Sequence, residues 1–187
     1  MNILARQRAL SINGQGNNRK KNDFYPTPSF AIEALLKVKQ FTGDILEPAC
    51  GTGSISKILE SNLTNKVYSS DLFDYGFGQS GCNFLTDEYA QVDNIITNPP
   101  FKISTPFMVK AQQVAKHKIA FFLKLTALDG IIRYRKIWSN KDFPLSKVYV
   151  FSKRVNFDPT IKSGGFISFA WFIWEKDCDH EPYIRWL

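Results

Sequence analysis

Cysteine is scarce in this chain, and its cysteines are not arranged in pairs. Cys50, Cys82 and Cys178 are odd in number, widely separated and without a C-x-x-C spacing. This pattern indicates neither a disulfide framework nor a zinc site. The sequence therefore predicts reduced thiols in a cytoplasmic protein, with no metal site.

Long apolar runs are also absent from the sequence. A membrane-spanning helix needs roughly 20 apolar residues, whereas the run at residues 166–174 is short and is followed by Glu175 and Lys176. The first residues lack the apolar core of a signal peptide, and their basic residues are mixed with polar ones. We therefore expect no membrane association.

The composition is that of one folded domain with a surplus of basic residues. At 187 residues, with 44% hydrophobic and 14% aromatic residues, the chain is long enough to bury a core. Its formal charge of +7 favours a polyanionic partner such as nucleic acid, although proteins that touch no nucleic acid show the same balance. Residues 1–22 are polar and basic, and we expect a flexible arm that either tracks phosphates or has no function.

The order of the predicted elements indicates the fold class. Apolar spacing and helix breakers predict helices over residues 28–38, 54–61, 105–116 and 130–138. Apolar and β-branched runs predict strands over residues 44–49, 67–71, 92–97, 118–125, 147–153 and 166–174. A glycine-rich loop, residues 73–81, stands where a crossover helix would be expected. This alternation predicts an α/β fold with an open, mostly parallel sheet and a final antiparallel strand.

The most informative stretch is Asn98-Pro99-Pro100-Phe101, which directly follows the apolar run at residues 92–97. The Asn98 side-chain oxygen and a backbone carbonyl beside the prolines form a stiff pair of acceptors, which suits an amino group. The nitrogen lone pair of an aryl or amide NH2 group is delocalised. When a site accepts both N–H hydrogens, this lone pair localises on the nitrogen and can attack an electrophile. Phe101 offers an apolar face for a planar base. The alternative is a Pro-Pro turn that only ends the strand.

Other segments place glycines and acids at predicted strand ends. Gly51 and Gly53 let the backbone of a strand-to-helix turn approach a ligand, although similar turns often only connect elements. Glu47 is a carboxylate in an apolar strand end, and it needs a cation or donors there. Asp71 ends the next strand, where it either accepts the ribose hydroxyls of a nucleoside or is a solvated acid.

Several short segments occur in one order along the chain. They are Asp23-Phe24-Tyr25-Pro26-Thr27-Pro28, Glu47-Pro48-Ala49-Cys50-Gly51-Thr52-Gly53, Asp71, Asn83-Phe84-Leu85 and Asn98-Pro99-Pro100-Phe101. Together they resemble the S-adenosylmethionine-dependent DNA N6-adenine methyltransferases, especially the short members of phage type, over residues 23–174. The resemblance implies a Rossmann-like class I methyltransferase fold with helices on both faces of the sheet. It also implies a catalytic domain at residues 23–176 and a C-terminal tail at residues 177–187.

The resemblance further implies a set of site residues. Catalytic roles are expected for Asn98, Pro99, Pro100 and Phe101. S-adenosyl-L-methionine is expected to bind at Tyr25, Pro26, Thr27, Glu47, Ala49, Gly51, Gly53, Asp71, Asn83 and Phe84. Asn83 stands where the family usually has Asp, and the loss of charge lowers the expected cofactor affinity although the amide oxygen still accepts a hydrogen bond. Thr27 is also a candidate helix N-cap, and Phe84 a candidate core residue.

Duplex DNA is the partner that the resemblance implies. A target adenine is expected to leave the helix, to lie on Phe101 and to give its N6 hydrogens to the Asn98 side chain and the Pro99 carbonyl. Candidate nucleic-acid contacts are Lys124, Arg133, Arg135, Lys136, Lys153, Arg154, Phe157 and Lys162. For Phe157 the alternative is a core role, and for the cations it is a set of scattered, solvated charges.

The sequence contains no segment that is expected to form a target-recognition domain. Many proteins with this order of segments carry a recognition domain after the catalytic sheet, and residues 177–187 are too few for one. Specificity is therefore expected to be weak, to come from residues 73–81 and 127–141, or to depend on a partner subunit or a second copy of the chain.

Two other functional interpretations stay open. An RNA base or a protein glutamine is an alternative acceptor for an Asn-Pro-Pro-aromatic site, although the basic charge and the Phe-Tyr-Pro-Thr-Pro opening favour nucleic acid. The domain is also compatible with a binding subunit that keeps the fold without turnover. Asn83 and the missing recognition domain favour that interpretation, whereas Asn98 and Phe101 oppose it. For a phage-encoded protein, the expected location is the host cytoplasm.

Overall fold

One sheet of seven strands organises the described residues, 21–157 and 167–187, of this computed structural model. The strands are β1 Ile45–Glu47, β2 Val67–Ser69, β3 Val92–Thr97, β4 Ala115–Lys124, β5 Leu145–Val150, β6 Phe169–Glu175 and β7 Tyr183–Trp186. Their order is β2-β1-β3-β4-β6-β5-β7. All pairings are parallel except those that β6 makes with β4 and β5. The prediction of a mostly parallel α/β sheet with one antiparallel strand is confirmed.

The helices follow the expected alternation with the strands. They are α1 Ser29–Val38, α2 Ser56–Asn62, α3 Ser104–Val114 and α4 Ile131–Arg133, which continues into a π-helical turn, Tyr134–Trp138. Short 3-10 turns lie at Lys21–Asp23, Phe101–Ile103 and Leu125–Leu128. The helix predicted over residues 105–116 is wrong at its end, because Ala115 is already extended and starts β4.

Helices cover both faces of the sheet. Successive side chains of a strand point to opposite faces, so Ile96 and Phe122 pack in one apolar cluster with α1 and α2. Their neighbours Ile95 and Phe121 pack in a second cluster with α3. The near-continuous apolar runs of β3 and β4 are therefore explained by burial on both sides.

A partly buried ion cluster joins the end of α1 to the antiparallel strand. Glu175, at the end of β6, accepts hydrogen bonds from Lys39 at 2.5 Å and from Ser146 at 2.8 Å, and Lys147 lies 3.4 Å away. Burial alone would raise the pKa of Glu175, but the hydrogen bonds from Lys39 and Ser146 and the two lysine charges lower it to about 2. The carboxylate therefore stays ionised and ties the helix to the sheet.

The segment at residues 177–187 contributes a strand that the sequence did not reveal. Val148 pairs with Ile184, and β7 thereby extends the sheet beyond β5. Exposed side chains along β7 explain why no burial pattern marked it in the sequence. The domain boundaries drawn from the sequence stay predictions. Among the described helices, none has the length and apolarity to cross a membrane.

The parallel strands end at one edge of the sheet. Thr97 pairs with Phe121, and Val150 and Leu123 both pair with Ala170, so β3, β4 and β5 end side by side. Because β1 and β2 run parallel to β3, their carboxyl ends lie at this edge too. Ligands of open α/β sheets bind outside this edge.

Candidate active site

A cavity of about 470 Å³ lies at the carboxyl ends of β1, β2 and β3. Its volume is within the range of small-molecule sites, roughly 300–1,000 Å³. Every predicted cofactor residue except Gly53 lines it, namely Tyr25, Pro26, Thr27, Glu47, Ala49, Gly51, Asp71, Asn83 and Phe84. Of the predicted catalytic residues, Asn98 and Pro100 line it, whereas Pro99 and Phe101 are not part of the lining.

The Asn98 side chain is oriented by the segment that precedes α1. Its Nδ2 donates to the Tyr25 carbonyl and to Thr27 Oγ1, both at 3.0 Å. A carbonyl only accepts, so the nitrogen must face Tyr25 and the amide cannot be reversed. Oδ1 is buried and meets no hydrogen-bond donor among the described residues. The cavity is thus lined by a residue with an oriented acceptor that lacks a partner.

One of the two expected roles of Thr27, that of helix N-cap, is wrong, and its expected contact with the cofactor stays a prediction. Helix α1 begins at Ser29, its N-cap is Pro28, and no side chain caps it. Thr27 is therefore not the N-cap, and its buried hydroxyl orients Asn98 instead.

The turn after β1 is held by Asp71. Gly51 N–H donates to Asp71 Oδ2 and Phe73 N–H donates to Asp71 Oδ1, both at 2.9 Å. Gly51 has a φ of 52°, and a Cβ there would collide with the Phe24 ring. Glycine is therefore required both for the backbone conformation and for the approach of Phe24.

Gly53 supports the site from outside the cavity. It has a φ of 79°, and a Cβ would lie 2.6 Å from the Phe77 ring. Lys57 Nζ lies 5.0 Å from the centroid of the same ring. The structure places this glycine against the glycine-rich loop, and its expected contact with a cofactor stays a prediction.

Glu47 is buried at the floor of the cavity. Its Oε2 accepts hydrogen bonds from the Ser56 N–H at 2.8 Å and from the Ser56 hydroxyl, which also lies 2.6 Å from Ser69 Oγ. Burial raises the pKa of Glu47 to about 8, the Ser56 bonds oppose this rise, and the Asp71 charge adds to it. At neutral pH the carboxyl group is therefore mostly protonated, and a cationic ligand would favour its ionisation.

We expect Glu47→Gln to change the pH dependence of stability. The pKa of Glu47 is about 8 in the folded protein against an ordinary value of 4.5. Stability is then lost as pH rises between these values, by up to about 1.4 kcal/mol per pH unit. The variant should match the wild type near pH 5 and exceed it in free energy of unfolding near pH 9.

Urea denaturation at pH 5, 7 and 9 measures this difference directly. Glu33→Gln removes an exposed carboxylate on α1 and serves as the matched control. A gap between wild type and Glu47→Gln that is the same at all three pH values would contradict a raised pKa.

The Asn83 side chain closes a local turn at the cavity wall. Its Oδ1 accepts a hydrogen bond from Leu85 N–H at 3.1 Å, and its own N–H donates to Asp87 Oδ2 at 2.7 Å. Phe84 follows with 1% exposure and packs against Phe107, with the ring centroids 5.1 Å apart. Phe84 thus both belongs to the core and lines the cavity.

Phe101 packs outside the cavity lining. Its ring stacks on Tyr25 with centroids 5.5 Å apart, and Lys124 Nζ lies 4.6 Å from its centroid. Phe157 makes edge contacts with Tyr25 and Phe169 at 5.9 and 5.0 Å. Both aromatic residues belong to one cluster beside the cavity, and their roles as base platforms stay predictions.

Those predicted cationic residues that the structure describes lie at the carboxyl edge, but they differ in their contacts. Arg133 donates to Thr105 Oγ1 at 3.2 Å and to the Asp129 carbonyl at 2.7 Å, so its contacts are internal to the fold. Exposed cations at this edge are Arg135, Lys136, Lys153 and Arg154. Lys162 and residues 1–20 lie outside the described residues.

Some cavity residues were not assigned from the sequence. Phe24 stacks on Tyr75 with centroids 4.4 Å apart, and Asp23 accepts a hydrogen bond from Lys102 N–H at 3.1 Å. Lys102 directly follows the Asn98–Phe101 segment, so its place at the cavity could have been predicted from the sequence. The pairing of Phe24 with Tyr75 joins segments far apart in the chain and had no sequence signal.

Comparison with known proteins shows the fold. No protein-family model and no curated protein sequence matches the chain. A protein assigned as the modification subunit of a type I restriction enzyme from Vibrio vulnificus YJ016 matches with a TM-score of 0.62 and 15% identity. The match covers 98% of this chain and 51% of the other, so the chain spans about half the length of that subunit.

Two further solved structures share the architecture. A protein assigned as an RNA methyltransferase from Pyrococcus horikoshii has a TM-score of 0.64 and 17% identity, over 91% of this chain and 98% of its own. Magnesium protoporphyrin IX methyltransferase from Synechocystis PCC 6803, with SAM bound, has a TM-score of 0.54 and 11% identity, over 91% and 80%. The chain thus has the Rossmann-like fold of these methyltransferases.

Proposed function

We propose that the protein transfers a methyl group from S-adenosylmethionine to the N6 amine of adenine in DNA. The observation that carries this proposal is the buried Asn98 Oδ1, which has no donor among the described residues although Nδ2 has two acceptors. A buried acceptor without a partner is unfavourable, and an amino substrate would satisfy it.

The residues around the cavity fit the cofactor. Asp71 would accept the ribose hydroxyls, since each carboxylate oxygen can accept more than the one backbone hydrogen bond that it has now. Glu47 would ionise beside the cationic amino acid part of the cofactor. The bound cofactor supplies an activated methyl group, so no protein nucleophile is needed. Cys50 lines the cavity but is not an activated nucleophile, because burial raises the pKa of its thiol to about 12 and keeps it protonated.

Asn98 and Pro99 would promote methyl transfer by placing two hydrogen-bond acceptors beside the adenine N6 amine. Asn98 Oδ1 would accept one N6 hydrogen and the Pro99 carbonyl the other, which localises the nitrogen lone pair. N6 would gain the methyl group as the sulfur–methyl bond breaks, and its extra proton would then pass to water. The Tyr25 and Thr27 contacts hold Asn98 in place before the substrate arrives, and such preorganised polar groups lower the barrier without reorganisation.

The adenine must also reach the aromatic cluster beside the cavity. Lys124 Nζ lies over the Phe101 ring at 4.6 Å from its centroid. A base that stacks on this face displaces the ammonium group, which then remains at the carboxyl edge near the phosphates. Stacking on an aromatic ring contributes about 1–3 kcal/mol per base, which helps to offset extrusion from the duplex.

The choice of nucleic acid as substrate is supported by charge and by the structural neighbours. The chain carries a formal charge of +7, and Arg135, Lys136, Lys153 and Arg154 are exposed at the edge that holds Asn98. One structural neighbour is assigned as a restriction-system modification subunit and another as an RNA methyltransferase. RNA is therefore the second candidate substrate.

Transfer of labelled methyl groups tests the proposed function. The purified protein is incubated with labelled S-adenosylmethionine and, separately, with duplex DNA, single-stranded DNA, bulk RNA and a protein extract. We expect the label in DNA, as N6-methyladenine. Label confined to RNA or to protein would reject the DNA assignment, and tight cofactor binding without any transfer would indicate a binding subunit.

A further inference from the structure

The segment after β4 carries a group of exposed apolar side chains. Leu128 is 43% exposed, Ile131 61%, Ile132 63% and Tyr134 59%. We call these four residues the apolar ridge. Single exposed apolar residues are normal on a protein surface, but an exposed apolar group marks an interaction site.

The apolar ridge is held rigidly by its neighbours. Ile137 is fully buried, and Trp138 stacks on Trp174 with centroids 5.6 Å apart and an interplanar angle of 6°. Arg133 clamps the start of the segment through Thr105 and the Asp129 carbonyl. The inward side chains of the segment thus pack into the core, whereas none of the four ridge residues belongs to either apolar cluster of the described residues.

The apolar ridge lies at the edge of the sheet that holds the acceptor. It follows the carboxyl end of β4, which runs parallel to β3, and Asn98 directly follows β3. Arg133 contacts Thr105 in α3, which begins just after the Phe101–Ile103 turn. The ridge is therefore attached to the same structural unit as the Asn98 site.

Cations alternate with the apolar ridge along the chain. Residues 128–142 contain Arg133, Arg135, Lys136 and Lys141, against the acids Asp129 and Asp142. An apolar surface framed by cations is complementary to nucleic acid, because the apolar groups contact bases while the cations contact phosphates. The charge balance favours a polyanion over an ordinary protein partner.

We propose that Ile131 and Ile132 insert between neighbouring base pairs of duplex DNA and hold open the step from which the target adenine leaves. Arg135 and Lys136 would contact the flanking phosphates. Unstacking of bases is unfavourable, and inserted apolar side chains replace the lost stacking contacts. This inference rests on the proposed function and adds how the duplex is opened.

The first test compares two forms of one DNA substrate. The double variant Ile131→Ala with Ile132→Ala is expected to lower methyl transfer to native duplex DNA about tenfold, and to change transfer to the same DNA after heat denaturation less than about twofold. Both side chains are mostly exposed, so folding should be unaffected. Ile184→Ala removes a matched exposed isoleucine on β7, 51% exposed, and should alter neither rate.

Equal losses on both DNA forms, or no loss on either, would overturn the proposed insertion. A change of oligomeric state in the double variant, with duplex transfer unchanged, would instead identify the apolar ridge as a protein contact. If the wild type methylates neither DNA form, the proposed function fails, and a second measurement then tests the insertion by itself.

The second measurement does not need turnover. Side chains inserted between base pairs unstack and distort the duplex, so a closed circular plasmid relaxed by a topoisomerase with bound wild-type protein should change its linking number. The double variant should bind the plasmid with a much smaller change. A wild type that binds without a change in linking number, or that does not bind, would contradict the insertion.

Discussion

Asn98→Ala is expected to lower the rate of methyl transfer at least about 10²-fold, while the cofactor still binds. The substitution removes Oδ1, which receives the substrate amine in the proposed function, and loss of one preorganised polar contact in a reaction typically has an effect of this size. It also removes the bonds to the Tyr25 carbonyl and Thr27. The rate is measured with labelled S-adenosylmethionine, and cofactor binding by calorimetry.

A matched control separates chemistry from general loss of stability. Asn65 is also partly buried and its Nδ2 also donates to backbone carbonyls, those of Phe41 and Gly43. It does not line the cavity. Asn65→Ala should therefore reduce stability in a similar way and leave the rate unchanged. Wild-type turnover in Asn98→Ala would refute the proposed role of this amide.

Asp71→Ala is expected to weaken cofactor binding at least about 100-fold. The carboxylate holds the Gly51 and Phe73 N–H groups, and in the proposed function it also accepts the ribose hydroxyls. Hydrogen bonds to a charged group contribute about 1.5–3 kcal/mol each, and each 1.4 kcal/mol is a tenfold change in affinity. Titration calorimetry with S-adenosylmethionine measures the dissociation constant.

The neighbouring loop offers a control with the same local geometry. Asp74 accepts a hydrogen bond from Gly76 N–H at 2.8 Å, just as Asp71 accepts one from Phe73 two residues later. Asp74 is exposed and does not line the cavity. Asp74→Ala should keep wild-type affinity, and equal weakening by both substitutions would show that loop order, and not the Asp71 carboxylate, governs binding.

The fold was largely predictable because its signals are local. Apolar runs with flanking Gly and Pro identified β1 to β6, and the periodicity of α1 located that helix to within one residue. Strand β7 was missed because its side chains are exposed, so no burial pattern marks Tyr183–Trp186. Its place in the sheet depends on pairing with β5, a contact between distant segments.

The site was predictable in its parts but not in their contacts. Strand ends carry Glu47, Asp71 and Asn98, and parallel pairing brings the three to one edge. The sequence did not reveal that Lys124 lies over Phe101, nor that Arg133 contacts Thr105. These contacts depend on how separate elements pack, which local spacing does not determine.

Chain order is enough to place the chemical groups at the strand ends, since Asn98 and its two prolines are covalent neighbours of β3. Which atom of that amide lacks a partner depends on how distant segments pack. The two ends of an asparagine amide are nearly alike in shape, and their orientation depends on a carbonyl and a hydroxyl from Tyr25 and Thr27, more than 70 positions earlier in the chain. Because Nδ2 faces those acceptors, Oδ1 is left without a donor among the described residues, as the proposed function requires.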